Sequence, residues 1–162
     1  MSRLDSFIRR VTAQRDCLNH AAELSKGQEG PVLELGLGNG RTYDHLRSLF
    51  SSEDIYVFDR HVKAHPDCIP DKVHMILGDF LQTVPNAQSR LPGLAKLVHC
   101  DIGSGDKAAS VSLAQKLGEF LPNLLLQDAV IVSDQPFEID VWAPLDLPEG
   151  VTKGRYHLYR QV

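Results

Sequence analysis

Residues 32–42 read VLELGLGNGRT, a short apolar run carrying one acid, Glu34, followed at once by glycines at 36, 38 and 40. An apolar run of this length bounded by glycine reads as a buried strand, and Arg41 to Phe50 reads as a helix. The glycines therefore occupy a strand-to-helix turn. In open parallel sheets, ligands bind beyond the carboxyl ends of the strands, at such turns. Glycines at alternate positions allow positive φ angles and let the backbone approach a ligand with no Cβ in the way.

The segments on either side fit the same frame. Upstream, apolar residues at Phe7, Val11, Leu18, Ala21, Ala22 and Leu24 follow a helical period, and Gly27 and Gly30 stop it, which predicts a helix over 3–25. Downstream, IYVFD (55–59), VHMILGD (73–79), AKLVHCDIG (95–103) and DAVIVSD (128–134) read as strands. Between them lie a proline-interrupted segment, a helical stretch FLQTVPNAQSRL (80–91) and a helix over Lys107 to Leu121. Strands alternating with helices or crossovers argue a parallel sheet covered on both faces. Residues 135–162 hold three of the nine prolines, and only RYHLYRQV (155–162) reads as a clear strand. One or two final strands are expected there, antiparallel at one side of the sheet and joined by a loop around Pro148 to Gly154. Alternation places Tyr156 and Leu158 on one face, and His157 and Tyr159 on the other. Trp142 fits either a core or a pocket wall.

At 162 residues and 43% hydrophobic content, the chain suits one core, read as a leading helix (1–27), a central unit (30–134) and a C-terminal strand region (135–162). A net charge of −4 gives no global pull toward DNA or an anionic membrane. No apolar run has the length of a bilayer span, and MSRLDSFIRR lacks an apolar signal core, so a cytoplasmic location is expected. Cys17, Cys68 and Cys100 are too few and too widely spaced for a disulfide framework, and Cys100 is expected to pack within a strand. His61, His65 and Cys68 are zinc-ligand types, but Pro66 and Pro70 break any helix that would align them and no fourth ligand follows. They read as solvated loop residues.

The glycine loop itself discriminates between ligands. A dinucleotide fingerprint G-x-G-x-x-G starting at Gly36 needs glycine at 41, where this chain has Arg41. A pyrophosphate would also meet the Glu34 carboxylate across a short distance, whereas a cation would be welcome there. The run Glu34-Leu35-Gly36-Leu37-Gly38-Asn39-Gly40 resembles the acidic-x-G-x-G-x-G motif of class I S-adenosylmethionine-dependent methyltransferases. Further landmarks follow in order over about residues 30–134. Asp59 ends the second strand, nineteen residues after Gly40. Asp79 and Phe80 follow the third, and Asp101 and Ile102 the fourth. Short single-domain bacterial methyltransferases are the nearest likeness.

The resemblance implies a Rossmann-like, doubly wound α/β fold with a mostly parallel sheet of six or seven strands, helices on both faces, and S-adenosylmethionine as cofactor. It implies a cofactor site made of Glu34, Gly36, Gly38, Asn39, Gly40, Arg41, Thr42, Asp59, Arg60, Asp79, Phe80, Asp101 and Ile102. The chemistry of the residues agrees. One carboxylate, Asp59, can accept from both ribose hydroxyls. Arg60 can stack on adenine while Asp79 and the Phe80 amide meet its edge. Arg41 or Thr42, at a helix start, can meet the methionine carboxylate.

At the reacting end the candidates are Asp101, Ser104, Asp106, Asp134 and Gln135, with Asp101 read as the catalytic group. His99 precedes Asp101 by two and reads as a hydrogen-bonded core histidine. Asp101, Asp134 and Gln135 also resemble the Asp with Asp-Asn set that holds Mg²⁺ in catechol-type O-methyltransferases. Gln135 replaces the asparagine, however, and Ser104 stands where a lysine is expected. The favoured reading has no metal, with Asp101 lining the cofactor site and Asp134 capping the loop before Pro136. SDQPF (133–137) matches poorly the D-P-P-F type of motif with which DNA amino-methylating enzymes hold a base. The expected activity is methyl transfer to a small hydroxyl or amine compound, with no DNA or membrane partner; a homodimer is compatible with the chain. The alternatives are a non-catalytic S-adenosylmethionine-binding module and an NAD-dependent oxidoreductase, and the missing Tyr-x-x-x-Lys relay counts against the second.

Overall fold

Ser2 opens the first helix, α1 (Arg3–Leu24), through a capping box in which its hydroxyl accepts from the Asp5 amide and the Asp5 carboxylate accepts from the Ser2 amide. The computed structural model describes residues 1–162. After α1 the chain lays down β1 (Val32–Leu35), α2 (Arg41–Leu49), β2 (Ile55–Asp59), β3 (Met75–Leu77), α3 (Phe80–Thr83) and β4 (Ala95–Cys100). It ends with α4 (Lys107–Gly118), β5 (Leu125–Ser133), β6 (Trp142–Pro144) and β7 (His157–Gln161).

One seven-stranded sheet results, in the order β3-β2-β1-β4-β5-β7-β6. β1 to β5 run parallel, and β7 is antiparallel to both β5 and β6. The chain builds outward from β1 to β3 and then returns to place β4 on the other side of β1. The strand order therefore reverses between β1 and β4, which opens a crevice at their carboxyl ends. The glycine loop sits at that switch point.

Each face of the sheet carries its own core. On one, Cys17, Leu18 and Ala21 of α1 and Tyr43 and Leu46 of α2 pack on Val32, Val57, Leu97 and Val130. On the other, Ala114 and Leu117 of α4 pack with Leu33, Phe58, Val98 and Ile131. The central strands are buried on both sides, as helices over both faces of a parallel sheet require. The predicted split at the C-terminus is observed: Tyr156 and Leu158 join the first core and Tyr159 the second.

Three boundaries differ from the sequence reading. The helix expected over 80–91 is a single α turn ending at Thr83, followed by a short 3₁₀ turn at Ala87–Ser89. Pro85 has no amide hydrogen to continue the helix. α4 stops at Gly118 and a 3₁₀ turn with Pro122 follows. β5 begins at Leu125, paired with Ala95, and its register then slips before Val130 meets Leu97.

Trp142 belongs to the core: it is 6% exposed, its ring centroid lies 5.0 Å from Phe137 and 5.9 Å from Tyr159, and its Nε1–H donates to Gln161 Oε1 at 3.0 Å. The Phe137 amide in turn donates to the Tyr159 hydroxyl at 3.0 Å. Trp142→Ala should therefore lower unfolding free energy by about 3–5 kcal/mol in guanidinium titrations. A loss below about 1 kcal/mol would contradict this placement.

Candidate functional site

The three glycines of the loop are required for different reasons. Gly36 has φ 102°, and a Cβ there would stand 2.2 Å from the Asp101 carbonyl oxygen, so the ends of β1 and β4 can close only on glycine. Gly38 has φ 51° and open space where a Cβ would lie, and it borders the small cavity at the loop. Gly40 has φ 83° as the N-cap of α2, and a Cβ would strike Cys68 at 2.6 Å. Asn39 Oδ1 accepts from the Arg41 amide at 3.2 Å, which fixes the loop's exit into α2.

Asp59 anchors the loop from the neighbouring strand end. Its Oδ2 accepts from the Leu37 amide at 2.8 Å and the Gly38 amide at 3.2 Å, and its Oδ1 accepts from the His61 amide at 3.3 Å. At the tip of β3, Asp79 caps α3 by accepting from the Leu81 amide at 2.9 Å, and it pairs with Arg60. The Arg60 guanidinium and the helix amide together hold the Asp79 carboxyl below its ordinary range. Phe80 lies half-buried beside it. Arg60 is thus tied to Asp79 across the outer end of the crevice, rather than lying free to stack. Arg41 is exposed, with its guanidinium 5.7 Å from the centre of the Phe7 ring.

Glu34 lies beneath the crevice surface, whereas Thr42 both bonds it and lines the small space against the glycine loop. Glu34 is 0% exposed, and its Oε1 accepts from the Thr42 hydroxyl at 3.1 Å. His99 Nδ1 lies 2.9 Å and 3.0 Å from the two Glu34 oxygens. The acid does stand beside a cation-forming group, but that group is an internal histidine. Strand register explains it, since Glu34 and His99 are paired positions on β1 and β4. His99 is the hydrogen-bonded core histidine that the sequence suggests.

The network continues beyond this pair. His99 Nε2 shares a 2.6 Å hydrogen bond with the Tyr156 hydroxyl, and Gln14 Nε2 donates to that hydroxyl at 3.1 Å and to Asp101 Oδ2 at 3.2 Å. Gln14 and Tyr156 are the residues that sequence reasoning missed. The signal for Gln14 was present: Val11, Gln14, Leu18 and Ala21 form one helical stripe, and Gln14 is its only polar member.

Asp101 and Asp134 face the same space with different engagements. Asp134 accepts from the Ile102 amide at 3.2 Å and the Gly103 amide at 2.8 Å, one with each oxygen, so it holds the loop after β4. Burial, then the nearby Asp101 charge, pushes the Asp134 carboxyl up. Gln135 borders the same cavity, while its amide donates to the Ser133 hydroxyl at 2.9 Å. Both Asp134 oxygens serve backbone donors, and no group of three acids, histidines or cysteines converges around Asp101 and Asp134. His61, His65 and Cys68 likewise form no metal cluster.

Burial opposes charge on His99, but the Glu34 carboxylate and its hydrogen bond outweigh burial and hold the imidazole above its usual value. Burial also pushes Glu34 up, against the pull of His99 and Thr42. Both groups therefore bind protons more readily in the folded chain than in the unfolded one, so stability falls as pH rises through their native pKa values. The His99 contribution is complete below the ordinary imidazole value of about 6.5 and is lost as pH passes its raised native value. The melting temperature should decline as pH rises above about 6.5, and Glu34→Gln should flatten that slope. Glu34→Ala, which strands a buried partner, should cost about 3–5 kcal/mol at neutral pH in denaturant titrations. An unchanged slope in Glu34→Gln would contradict the pairing.

A family model described as S-adenosyl-L-methionine methyltransferase matches residues 1–161. The crystal structure of an S-adenosyl-L-methionine methyl transferase from Silicibacter pomeroyi is 41% identical and superposes with a TM-score of 0.93, covering 100% of this chain and 99% of the other. Two more distant structures share the fold. The TDP-rhamnose 3'-O-methyltransferase of calicheamicin biosynthesis is 16% identical, with a TM-score of 0.63 over 98% of this chain and 83% of its own. An amino pentose methyltransferase from Micromonospora echinaspora, solved with S-adenosylmethionine bound, is 13% identical, with a TM-score of 0.54 over 91% of this chain and 65% of its own. No curated protein matches. The bare cradle at Gly38 and the acid at the tip of β2 fit the cofactor, and the nicotinamide alternative falls away. The chain belongs to the S-adenosyl-L-methionine methyltransferases and is a transferase dependent on that cofactor.

Proposed function

We propose that the enzyme methylates a small molecule held beside Asp101, in the cavity between the tips of β4 and β5 and the loop that leads into β7. The observation that carries this is the position of Asp101, Gln14 and Arg10, which border two spaces at once. The smaller space, about 100 Å³, lies against the glycine loop at Leu37, Gly38 and Asn39, under α1. The larger, about 730 Å³, opens toward Ser104, Asp134 and residues 152–156. Its size falls within the range of small-molecule sites. A donor on the loop side and an acceptor on the other would meet at Asp101. No helix is long and apolar enough to cross a membrane.

The roles of the chain's residues follow from this placement. Leu37, Gly38 and Asn39 present backbone to the donor, and Asp59, already bonded to that backbone, turns its carboxylate to the ribose diol. Asp79 and the Phe80 amide meet the adenine edge, with the Arg60–Asp79 pair as the outer wall. Arg41, at the start of α2, meets the methionine carboxylate. Glu34 acts from beneath, fixing β1 to β4 through His99 and to α2 through Thr42, which itself borders the donor's space. When bound, S-adenosylmethionine supplies a methyl carbon activated by a sulfonium, which takes up the electron pair of the broken carbon–sulfur bond as the acceptor's lone pair attacks. Asp101, held by Gln14, orients the acceptor's hydroxyl or amine and receives its proton.

Calorimetric titration with S-adenosylhomocysteine and NAD side by side tests the donor assignments. The first should bind and the second should not, and Asp59→Ala should weaken S-adenosylhomocysteine about tenfold or more, as expected for loss of charge-assisted hydrogen bonds. Unchanged affinity in Asp59→Ala would overturn the ribose assignment. On an acceptor that turns over, Asp101→Asn should lower kcat about a hundredfold. A rate close to that of the wild type would remove Asp101 from the catalytic role.

A further inference from the structure

The cavity beside Asp101 has a lining that selects for charge. Of its twelve lining residues, only Tyr156 is hydrophobic. Three are permanent or near-permanent cations, Arg10 from α1 and Lys153 and Arg155 from the loop before β7. None of the three takes part in an ion pair, although the chain as a whole carries four more acids than bases. The same lining holds two acids, Asp101 and Asp134, so the cations exceed them by one, and neither acid is ion-paired with a cation. Asp134 is committed to the Ile102 and Gly103 amides, and Asp101 accepts from Gln14.

The loop is built to present its cations. The Arg155 amide donates to the Thr152 carbonyl at 3.0 Å, and Gly154 between Lys153 and Arg155 has φ +84°, which closes a tight turn. Both side chains therefore issue from one turn, across the cavity from Arg10 on α1. An apolar acceptor would desolvate these groups without compensating them. An anion would meet charge-assisted donors from two sides, with arginine offering a planar fork.

We propose that the acceptor is a small anion, bearing a carboxylate or phosphate gripped by Arg10, Lys153 and Arg155 while its hydroxyl or amine points to Asp101. This rests on the reading above that a small-molecule acceptor occupies the cavity. The probes are inorganic phosphate and malonate, titrated calorimetrically into enzyme saturated with S-adenosylhomocysteine, with glycerol as the neutral control. At least one anion should bind and glycerol should not, and the Lys153→Ala/Arg155→Ala double variant should weaken anion binding about tenfold or more with S-adenosylhomocysteine affinity retained. The preferred anion separates a carboxylate acceptor from a phosphate one. Binding of neither anion, or equal binding to the double variant, would overturn the proposal while leaving methyl transfer standing. Failure of S-adenosylhomocysteine to bind would instead remove the reading beneath it. Displacement of the anion by a single-stranded oligonucleotide that binds more tightly would also overturn it, in favour of a nucleic-acid acceptor.

Discussion

The crevice depends on a carboxylate and an imidazole buried together between the two central strands. Glu34 and His99 are both 0% exposed and face one another across β1 and β4. Each would be costly to bury alone, and each is made tolerable by the other. Their remaining hydrogen bonds reach outward: Glu34 to Thr42 on α2, and His99 to Tyr156 beside β7. Gln14 on α1 then joins Tyr156 to Asp101. Elements far apart in the chain are thus fixed beneath the site by one continuous polar network whose members satisfy one another.

Above that network, the sheet's topology does the positioning. Strand order reverses between β1 and β4, so the chains leaving them turn to helices on opposite faces and leave a crevice, while Gly36 lets the two strand ends approach more closely than any side chain would allow. Asp59 bonds the loop amides from the adjacent strand, which couples the carboxylate proposed to meet the ribose to the backbone it helps to shape. The enzyme's donor chemistry is already activated, so the fold's task is alignment. A rigid floor with loops at the strand ends suits that task. On the proposed reading, the polar cavity bordered by Arg10 and Gln14 of α1 and by the loop before β7 is where this chain sets its own specificity.

Much of this was legible in the sequence, and the limits have physical causes. The strands appeared as short apolar runs, and the glycine loop together with Asp59 and Asp79 marked their tips, because spacing along the chain fixes which residues end a strand. The split of Tyr156 and Tyr159 to opposite faces was also readable, since a strand alternates. The partner of Glu34 was not. Its pairing with His99 depends on the register between strands sixty-five residues apart, which no local pattern encodes. The Gln14 and Tyr156 contacts to Asp101 and His99 fail for the same reason, as does the meeting of Arg10 with Lys153 and Arg155. The helix expected over 80–91 failed locally, where apolar periodicity was overridden by Pro85.

The central claim is that one crevice, set by the β1–β4 switch point and floored by the Glu34–His99 pair, holds the methyl donor on the loop side of Asp101. Amide chemical-shift mapping of the isotopically labelled protein during S-adenosylhomocysteine titration tests it most directly. The account predicts that the largest shifts fall on Gly36 to Gly40, on Asp59, on Asp79 and Phe80, and on Asp101 and Ile102, with smaller shifts on α1 at Gln14. Shifts concentrated instead on the loop at 145–155, with the glycine loop unmoved, would contradict it.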